Sequence, residues 1–343
     1  MLPTISRLTR TVLLPAAASF AVAAQTPQDA TANQGKPAAP KVDAGLAAYT
    51  KVDGVSGNLK SIGSNTMAQE MTLWAEQFRK LYPNVTIEIT GKGSGEAPTA
   101  LIEGTAQFGP MSRPMKEKEM DDFEKKYGYK PTAIATSIDM LAVFVHKDNP
   151  LQSLTLPQID AIFSKNRKGG ADKDIKTWGD LGLTGEWADK PISLYGRDSN
   201  SGTNSYFKEH ALFNGDFKDT VKEQGGASAV VQGVATDRFA IGYSGIGSKT
   251  ADVRTLPIAK KDGEKAVDAT ADTAYSGDYP LSRQLFLYVN RKPGTDLDPL
   301  RREFLRYVLS KDGQMDVVDK GYVPLTNKLA QVQLGKIGLA AAK

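Results

Sequence analysis

The fold is decided by residues 58–96, which read NLKSIGSNTMAQEMTLWAEQFRKLYPNVTIEITGKGSGE. The stretch opens with a short strand pattern, Asn58–Ile62, and continues as an amphipathic helix that Pro83 ends. The apolar positions of that helix are Met67, Met71, Trp74, Phe78 and Leu81. Val85–Thr90, VTIEIT, then alternates apolar and polar residues as a half-buried strand does.

The same alternation continues along the chain. Further strands are predicted at 106–110, 132–146, 192–195, 239–244 and 285–290. Further helices are predicted at 97–103, 116–127, 157–163, 205–213, 227–236, 298–309 and 313–319. Alternating strands and helices indicate an α/β architecture with largely parallel sheets.

Composition narrows the class of protein. A chain of 343 residues suggests two domains once a leader is removed. The formal charge of +4 comes from interspersed residues, so nothing points to nucleic acid. The sequence holds no run of apolar residues long enough for a membrane-spanning helix.

Few groups are available for metal or nucleophile chemistry. The chain has no cysteine, which excludes disulfides, thiolate metal sites and cysteine nucleophiles. Its two histidines, His146 and His210, lack the spacing of metal ligands. We therefore predict no metal site and no cofactor.

The N-terminus has the order of a secretory signal. Arg7 and Arg10 precede an apolar stretch from Thr11 to Ala24 that ends in small residues. We predict a signal peptide at 1–24 and a linker at 25–54, of which 25–41 has the composition of a disordered segment. The alternative for the first residues is a buried helix, which Pro15 suits poorly.

Three loops rich in Gly, Ser, Thr and Asn each follow a predicted strand and precede a helix. They are 63–66 (GSNT), 91–95 (GKGSG) and 196–203 (GRDSNSGT). A helix start has unpaired N–H groups and a partial positive charge, so an oxyanion binds there. In open α/β sheets such loops converge on one crevice. The alternative is that these residues are ordinary helix caps.

The third loop adds a cation. Arg197 lies four residues before Ser201, Gly202 and Thr203. A guanidinium can bind an oxyanion through two parallel hydrogen bonds, and the following residues supply hydroxyl and N–H donors.

With these loops, the sequence resembles the PstS-type phosphate-binding proteins of ABC transporters, over about Gly57 to Asn327. GRDSNSGT is similar to that family's phosphate loop, and GKGSGEAPTALIEGTAQFGPMSRP (91–114) is similar to its second loop. AIGYSGIG (240–247) and YPLSRQLFLYVN (279–290) are further similar stretches.

The resemblance implies the two-lobed type II periplasmic-binding-protein fold, with two mixed sheets, a double crossover hinge and a central ligand cleft. Lobe 1 would hold 55–136 and 286–343, and lobe 2 would hold 137–285. The implied phosphate ligands are Ser64, Asn65, Thr66, Ser94, Gly95, Ser112, Asp139, Arg197, Ser201, Gly202 and Thr203. The implied protein is a periplasmic or secreted monomer that delivers inorganic phosphate to a membrane permease.

One departure concerns selectivity. Part of the family has an aspartate that accepts the phosphate proton where this chain aligns Ser112. A carboxylate accepts from P–OH and repels sulfate, which has no proton to donate. Asp139 is the candidate replacement, Asp198 is a second one, and either residue has a structural alternative. Arg113 is expected either to contact the ligand or to pair with one of these aspartates.

Three alternative functions stay open. The first is a secreted phosphatase of the same fold, with Ser94 or Ser201 as nucleophile, although neither has a visible base. The second is a binder of sulfate, molybdate or tungstate, which the serine at position 112 keeps open. The third is a secreted adhesion role, suggested by the long segment 25–41.

Overall fold

The structure, a computed structural model, describes residues 40–339. The predicted signal peptide at 1–24 and the first part of the predicted linker lie outside the described residues. Within 40–339, no helix combines the length and the apolarity that crossing a bilayer requires.

Strands and helices alternate through most of the described chain. The strands are β1 (Gly57–Ile62), β2 (Val85–Thr90), β3 (Phe108–Met111), β4 (Thr132–His146), β5 (Leu154–Thr155), β6 (Ser193–Arg197), β7 (Lys222–Gln224), β8 (Ala240–Gly245), β9 (Val253–Thr255), β10 (Ile258–Ala259) and β11 (Ser282–Val289). The helices are α1 (Ala68–Leu81), α2 (Glu96–Glu103), α3 (Glu117–Tyr127), α4 (Leu156–Phe163), α5 (Gly202–His210), α6 (Ala227–Thr236), α7 (Ala271–Ser276), α8 (Pro299–Val308), α9 (Lys311–Asp319) and α10 (Asn327–Lys336).

Two mixed sheets share strand β4. The strand order is β2-β1-β3-β11-β4-β8-β6-β7, and β9 also pairs with β4. β4 pairs with β11 through Met140 and with β8 from Leu141 onward. We call β2-β1-β3-β11 with the start of β4 the first sheet, and the end of β4 with β8, β6, β7 and β9 the second sheet. The part of the chain built on each sheet is one lobe of a two-lobed α/β fold.

The sheets are less parallel than strand–helix alternation alone suggests. β1 runs parallel to β2 and β3, and β6 runs parallel to β7 and β8. β11 is antiparallel to both β3 and β4, and β8 is antiparallel to β4. The antiparallel pairs of the first sheet arise because β11, which comes late in the chain, inserts between β3 and β4.

Helix α1 attaches the C-terminal helices to the first sheet. Its predicted apolar stripe is confirmed, since Met71, Trp74 and Phe78 are fully buried. The Phe78 ring meets the Phe304 ring of α8 edge to face at 5.4 Å. The Trp74 indole N–H donates to the carbonyl of Gly313 in α9 at 2.8 Å. This packing holds α1, the helix that follows the loop after β1, against α8 and α9.

The predicted linker is wrong for the residues just before Val55, which belong to the folded body. Leu46 is buried in the core. The Tyr49 N–H donates to Asp312 Oδ2 at 2.6 Å, and the Tyr49 hydroxyl donates to Glu303 Oε2 at 3.0 Å. The segment holds only a few apolar residues without a regular period. Their burial depends on α8 and α9, more than 250 residues away in the sequence.

Several elements were not predicted. They are β5, β7, β9, β10, α7 and α10. The missed strands have two or three residues each, which is too short for a period to show. Helix α5 begins at Gly202 rather than at the predicted Ser205, so the Ser-Gly-Thr sequence forms its cap and first turn.

Candidate functional site

The three predicted loops meet at one place between the two sheets. We keep the names first loop for 63–66, after β1, second loop for 91–95, after β2, and third loop for 196–203, which includes the end of β6 and the start of α5. Thr66 Oγ1 of the first loop lies 3.0 Å from Thr203 Oγ1 in α5. The Gly95 N–H of the second loop donates to the carbonyl of Asn200 in the third loop at 3.2 Å. These contacts join the two lobes, so the conformation is a closed one.

The third loop carries an arginine at the end of β6 and a serine cap at the start of α5. The Ser201 hydroxyl oxygen accepts the Thr203 N–H at 3.1 Å, so Ser201 is the N-cap of α5. A hydroxyl that accepts a capping bond still has its own hydrogen to donate. The cap and the binding interpretation of this serine are therefore compatible.

Arg197 is a buried cation with one nitrogen left over. Its side chain donates through Nε to the carbonyl of Gln224 and through Nη2 to the carbonyl of Gly225, both at 3.2 Å. Nη1 is buried and has no hydrogen-bond partner among the described residues. Burial lowers the pKa of Arg197, but arginine stays protonated in proteins. An acceptor for Nη1 would satisfy the guanidinium.

A second buried arginine was not among the predicted residues. Arg283, at the start of β11, donates through Nε and Nη2 to Asp139 Oδ2 at 3.0 and 2.7 Å. Nη2 also donates to Thr203 Oγ1 at 2.8 Å. The other terminal nitrogen, Nη1, is buried without a partner among the described residues. Arg283 thus connects Asp139 to the first turn of α5.

Asp139 is fully buried and keeps part of its accepting capacity. Oδ2 accepts both bonds from Arg283, and Oδ1 accepts the Ile246 N–H at 3.2 Å. Since an ionised carboxylate has about four lone-pair positions, Oδ1 can accept one further hydrogen. A Cβ atom added to Gly245 would lie 2.9 Å from Asp139 Oδ2 and 3.2 Å from the Thr66 methyl carbon, so Asp139 borders the first loop.

The first loop contributes Ser64, Asn65 and Thr66. The Ser64 hydroxyl accepts the Met67 N–H at 3.3 Å, and the side chain is buried. Asn65 Oδ1 accepts the N–H of Ala227, the first residue of α6, at 3.0 Å. Asn65 therefore connects the first loop to a helix of the other lobe.

Ser94, Ser112 and Gly202 are packed against one another. The Ser94 and Ser112 hydroxyls lie 3.2 Å apart, and the Ser112 N–H donates to Ser94 Oγ at 3.0 Å. A Cβ atom added to Gly202 would lie 2.4 Å from Ser94 Oγ and 2.6 Å from Ser112 Oγ. Only glycine at position 202 lets the lobes approach this closely.

Gly95 differs from its predicted role. Its N–H is already donated to the carbonyl of Asn200, and an added Cβ would lie 2.1 Å from Asn200 Oδ1. In the closed conformation Gly95 makes room for Asn200, and its N–H is used in the contact between the lobes.

Arg113 and Asp198 both have partners close in the sequence, and the expected pairing of Arg113 with an aspartate is wrong. Arg113 pairs with neither aspartate: it makes a bidentate ion pair with Glu119, at 2.8 and 2.7 Å. Asp198 Oδ1 accepts the Asn200 N–H at 3.1 Å and so stabilises the turn of the third loop. Arg113 and Asp198 therefore each bond to a residue at most six positions away in the sequence.

The charge and the donors of this cluster suit an anion. Arg197 and Arg283 are cationic and Asp139 is anionic, which leaves one positive charge in excess. The N-termini of α1, α2 and α5 add partial positive charge at the same place. Among residues 40–339, no group of three or more His, Asp or Glu residues could hold a metal ion. We call Arg197, Arg283 and Asp139, together with the hydroxyl and N–H donors of the three loops, the anion cluster.

Two important residues were missed by the sequence reasoning, Arg283 and Asn200. A detectable signal existed for Arg283, because it is a charged residue at the start of the apolar strand LFLYV. Asn200 offered no signal, since asparagine is common in loops and its contact is with another loop.

Comparison with known proteins agrees with this geometry. The model of the PBP superfamily domain matches residues 26–312. A phosphate-binding protein PstS of Pseudomonas aeruginosa is 55% identical over 298 residues, covering 87% of this chain and 92% of that protein. The chain belongs to the PstS family. A PstS of Staphylococcus haemolyticus is 32% identical over 284 residues, covering 82% of this chain and 85% of the relative.

A solved structure extends the likeness to three dimensions. A putative phosphate ABC transporter substrate-binding protein from Clostridium perfringens, crystallised with phosphate, has a TM-score of 0.65 and 25% identity. The match covers 79% of this chain and 100% of that one. An ABC-type phosphate transport receptor from Vibrio cholerae shares the fold with a TM-score of 0.60 at 24% identity, and the match covers 78% of this chain and 100% of that one.

Proposed function

We propose that this protein binds inorganic phosphate in the anion cluster and delivers it to the permease of a phosphate ABC transporter. The observation that carries the proposal is Arg197 Nη1, a buried cationic donor without an acceptor among the described residues, close in the chain to the hydroxyls of α5. Family membership makes phosphate the first anion to test. The proposed ligands are Ser64, Asn65, Thr66, Ser94, Ser112, Arg197, Ser201, Gly202, Thr203 and the newly found Arg283.

Asp139 is the proposed acceptor of the phosphate proton. Oδ1 of its carboxylate accepts one bond, from the Ile246 N–H, and so has an accepting position left. Phosphate at neutral pH carries a proton that it can donate to Oδ1, whereas sulfate would set an unprotonated oxygen against a carboxylate. Such an unpaired, desolvated contact rejects the wrong ligand strongly.

Release and uptake require the lobes to separate. We propose that the double crossover hinge lies where β4 changes partners, between Met140 and Leu141, and where β11 begins. Closure about two crossings buries a ligand between lobes in hinge-type binding proteins. We propose export through the signal at 1–24, a periplasmic or secreted location and a monomeric state. The signal pattern and the family support the location.

The non-transport alternatives have less support. The Ser94 hydroxyl contacts Ser112 and the Ser201 hydroxyl caps α5, so neither is paired with a base among the described residues. A phosphatase activity would appear as turnover of a phosphomonoester by protein free of contaminating enzyme. We expect no turnover.

Calorimetry tests the proposal directly. The mature protein, stripped of ligand, is titrated with phosphate and then with sulfate at neutral pH. We expect one-to-one phosphate binding and no sulfate heat. Sulfate binding as tight as phosphate would overturn the role of Asp139, and no binding of either anion would overturn the function.

A variant pair separates the proton acceptor from its neighbours. Asp139→Asn removes the ionised acceptor, so preference for phosphate over sulfate should be lost. Asp198→Asn is the matched control: its side-chain oxygen can still accept the Asn200 N–H, and the preference should persist. Equal discrimination by both variants would remove Asp139 from the mechanism.

A further inference from the structure

We propose that Asn200 is a latch between the lobes, a positioning residue that stabilises the closed conformation and thereby sets the rate of ligand release. The inference rests on the proposed function for its kinetic consequence, but the latch itself is a property of the two loops. Asn200 belongs to the third loop, and every partner of the latch belongs to the second loop or to the start of α2.

A single residue makes three contacts across the lobes. The carbonyl of Asn200 accepts the Gly95 N–H at 3.2 Å. Its side-chain Nδ2 donates to Glu96 Oε1 at 3.0 Å and to the carbonyl of Lys92 at 3.4 Å. Both main chain and side chain therefore connect the two lobes, and the bond to Glu96 has a charged acceptor.

The second loop is shaped to receive this residue. An added Cβ at Gly93 would lie 2.6 Å from the carbonyl oxygen of Asn200, and one at Gly95 would lie 2.1 Å from Asn200 Oδ1. Real Cβ atoms do not approach other atoms this closely, so both positions require glycine while Asn200 is inserted. Gly93 and Gly95 of the second loop thus accommodate Asn200 of the other lobe, on either side of the proposed ligand Ser94.

The third loop is also held ready. The Asn200 N–H donates to Asp198 Oδ1 at 3.1 Å, which closes a local turn and orients the residue toward the second loop. Arg197, three residues earlier, carries the Nη1 that has no partner among the described residues. Asn200 and Arg197 thus lie on one short loop, so closing the latch brings Arg197 toward the first lobe.

The latch is separate from the proposed ligand contacts. Asn200 is partly exposed, whereas Arg197, Ser201 and Thr203 are buried. The bonds to Glu96 and Lys92 form only when the lobes are together, so they stabilise the closed state and not the fold of either lobe. Breaking such bonds acts mainly on dissociation.

The test exchanges the donor and the charged acceptor of the bond between Asn200 and Glu96. Asn200→Asp sets a second carboxylate against Glu96, and the bond becomes a like-charge contact. In the double variant Asn200→Asp with Glu96→Gln, the glutamine amide can donate to the carboxylate introduced at position 200 and restore one bond. Asn58→Asp adds the same charge at an exposed position of β1, at the end of that strand farther from the first loop, and is the control.

Stopped-flow kinetics supply the first readout. We expect Asn200→Asp to raise the phosphate dissociation rate about 10-fold, in line with the loss of a hydrogen bond to a charged group, with little change in the association rate. The double variant should recover most of this factor, and Asn58→Asp should resemble the wild type. The latch would be overturned if Asn200→Asp released phosphate at the wild-type rate, or if the double variant released it as fast as Asn200→Asp alone.

A second readout does not depend on phosphate. Because the chain has no cysteine, spin labels can be placed at cysteines replacing the exposed Glu103 in α2 and Glu209 in α5. Without ligand, Asn200→Asp should shift the interspin distances toward longer values, and Glu96→Gln should reverse the shift. Identical distances in all variants would overturn the latch even if phosphate binds. The expected shift in a protein that fails to bind phosphate would retain the latch and overturn the proposed function.

Discussion

Gly202→Ala should destabilise the closed conformation without destabilising the folded state. In the closed conformation the new methyl group would lie 2.4 Å from Ser94 Oγ, 2.6 Å from Ser112 Oγ and 2.9 Å from Ser94 Cβ. Both serines belong to the first lobe and Gly202 to the second, so separating the lobes relieves every one of these clashes. The substitution therefore penalises the closed state selectively.

The magnitude follows from the packing. Overpacking by one carbon costs about 1–3 kcal/mol. If closure bears that cost alone, the dissociation constant for phosphate rises about 5- to 150-fold. Position 202 is the first residue of α5, where alanine is a better helix former than glycine by up to about 1 kcal/mol. The ligand-free protein should therefore unfold at the same temperature as the wild type, or slightly higher.

The assay combines phosphate calorimetry with thermal unfolding of the ligand-free protein. Gly335→Ala is the matched control, because Gly335 is also a helical glycine, in α10, and a Cβ added there meets no atom within 4 Å. The control should bind phosphate as the wild type does. Wild-type affinity in Gly202→Ala, or a loss of folding stability equal to the loss of binding, would refute the selective effect on closure.

Three further predictions concern the buried charges. A lysine at position 197 cannot donate to the carbonyls of Gln224 and Gly225 and to an anion with the geometry of a guanidinium. Arg197→Lys should therefore weaken phosphate binding about 10- to 150-fold in calorimetry, the range expected for the loss of a hydrogen bond to a charged group. Asp139→Ala leaves Arg283 buried without its partner, and should destabilise the protein by about 3–5 kcal/mol in urea unfolding. A loss below about 1 kcal/mol would mean that the pair is well solvated. Burial raises the pKa of Glu70 in α1 well above its usual range, so the folded state holds a proton that the unfolded state loses. Stability is then complete at acidic pH and falls as pH rises above the unfolded pKa, by at most about 1.4 kcal/mol per pH unit. Glu70→Gln should unfold like the wild type near pH 4 and at a higher temperature near pH 8, and a difference independent of pH would contradict the buried proton.

Local patterns were enough to predict the parts of the fold that have a period. The stripe of α1, the alternation in β2 and the long apolar run of β4 each predicted an element that the structure contains. The loops between them were located correctly, because glycine and hydroxyl residues mark the change from strand to helix. The predicted crevice follows from the topology of parallel strands, whose carboxyl ends lie at one edge.

The remainder depends on contacts between distant parts of the chain. Asp139 and Arg283 are 144 residues apart, so no local pattern shows that one is the partner of the other. Strand β7 consists of the polar sequence Lys-Glu-Gln and forms only because β6 offers it an edge. Tyr49 joins the fold through a bond to Asp312 in α9. Such pairings are set by tertiary packing, and sequence reasoning has no access to them.

Locating the bound anion is the sharpest test of the anion cluster. Arsenate is a near-isostere of phosphate with a strong anomalous signal, and crystals of the mature protein grown with it would show where the ion lies. We predict one anomalous peak per chain, within hydrogen-bond distance of Arg197 Nη1 and the start of α5, with Asp139 Oδ1 facing one oxygen. A fully occupied peak elsewhere, or its absence from the anion cluster in a protein that binds phosphate in solution, would contradict the proposed site.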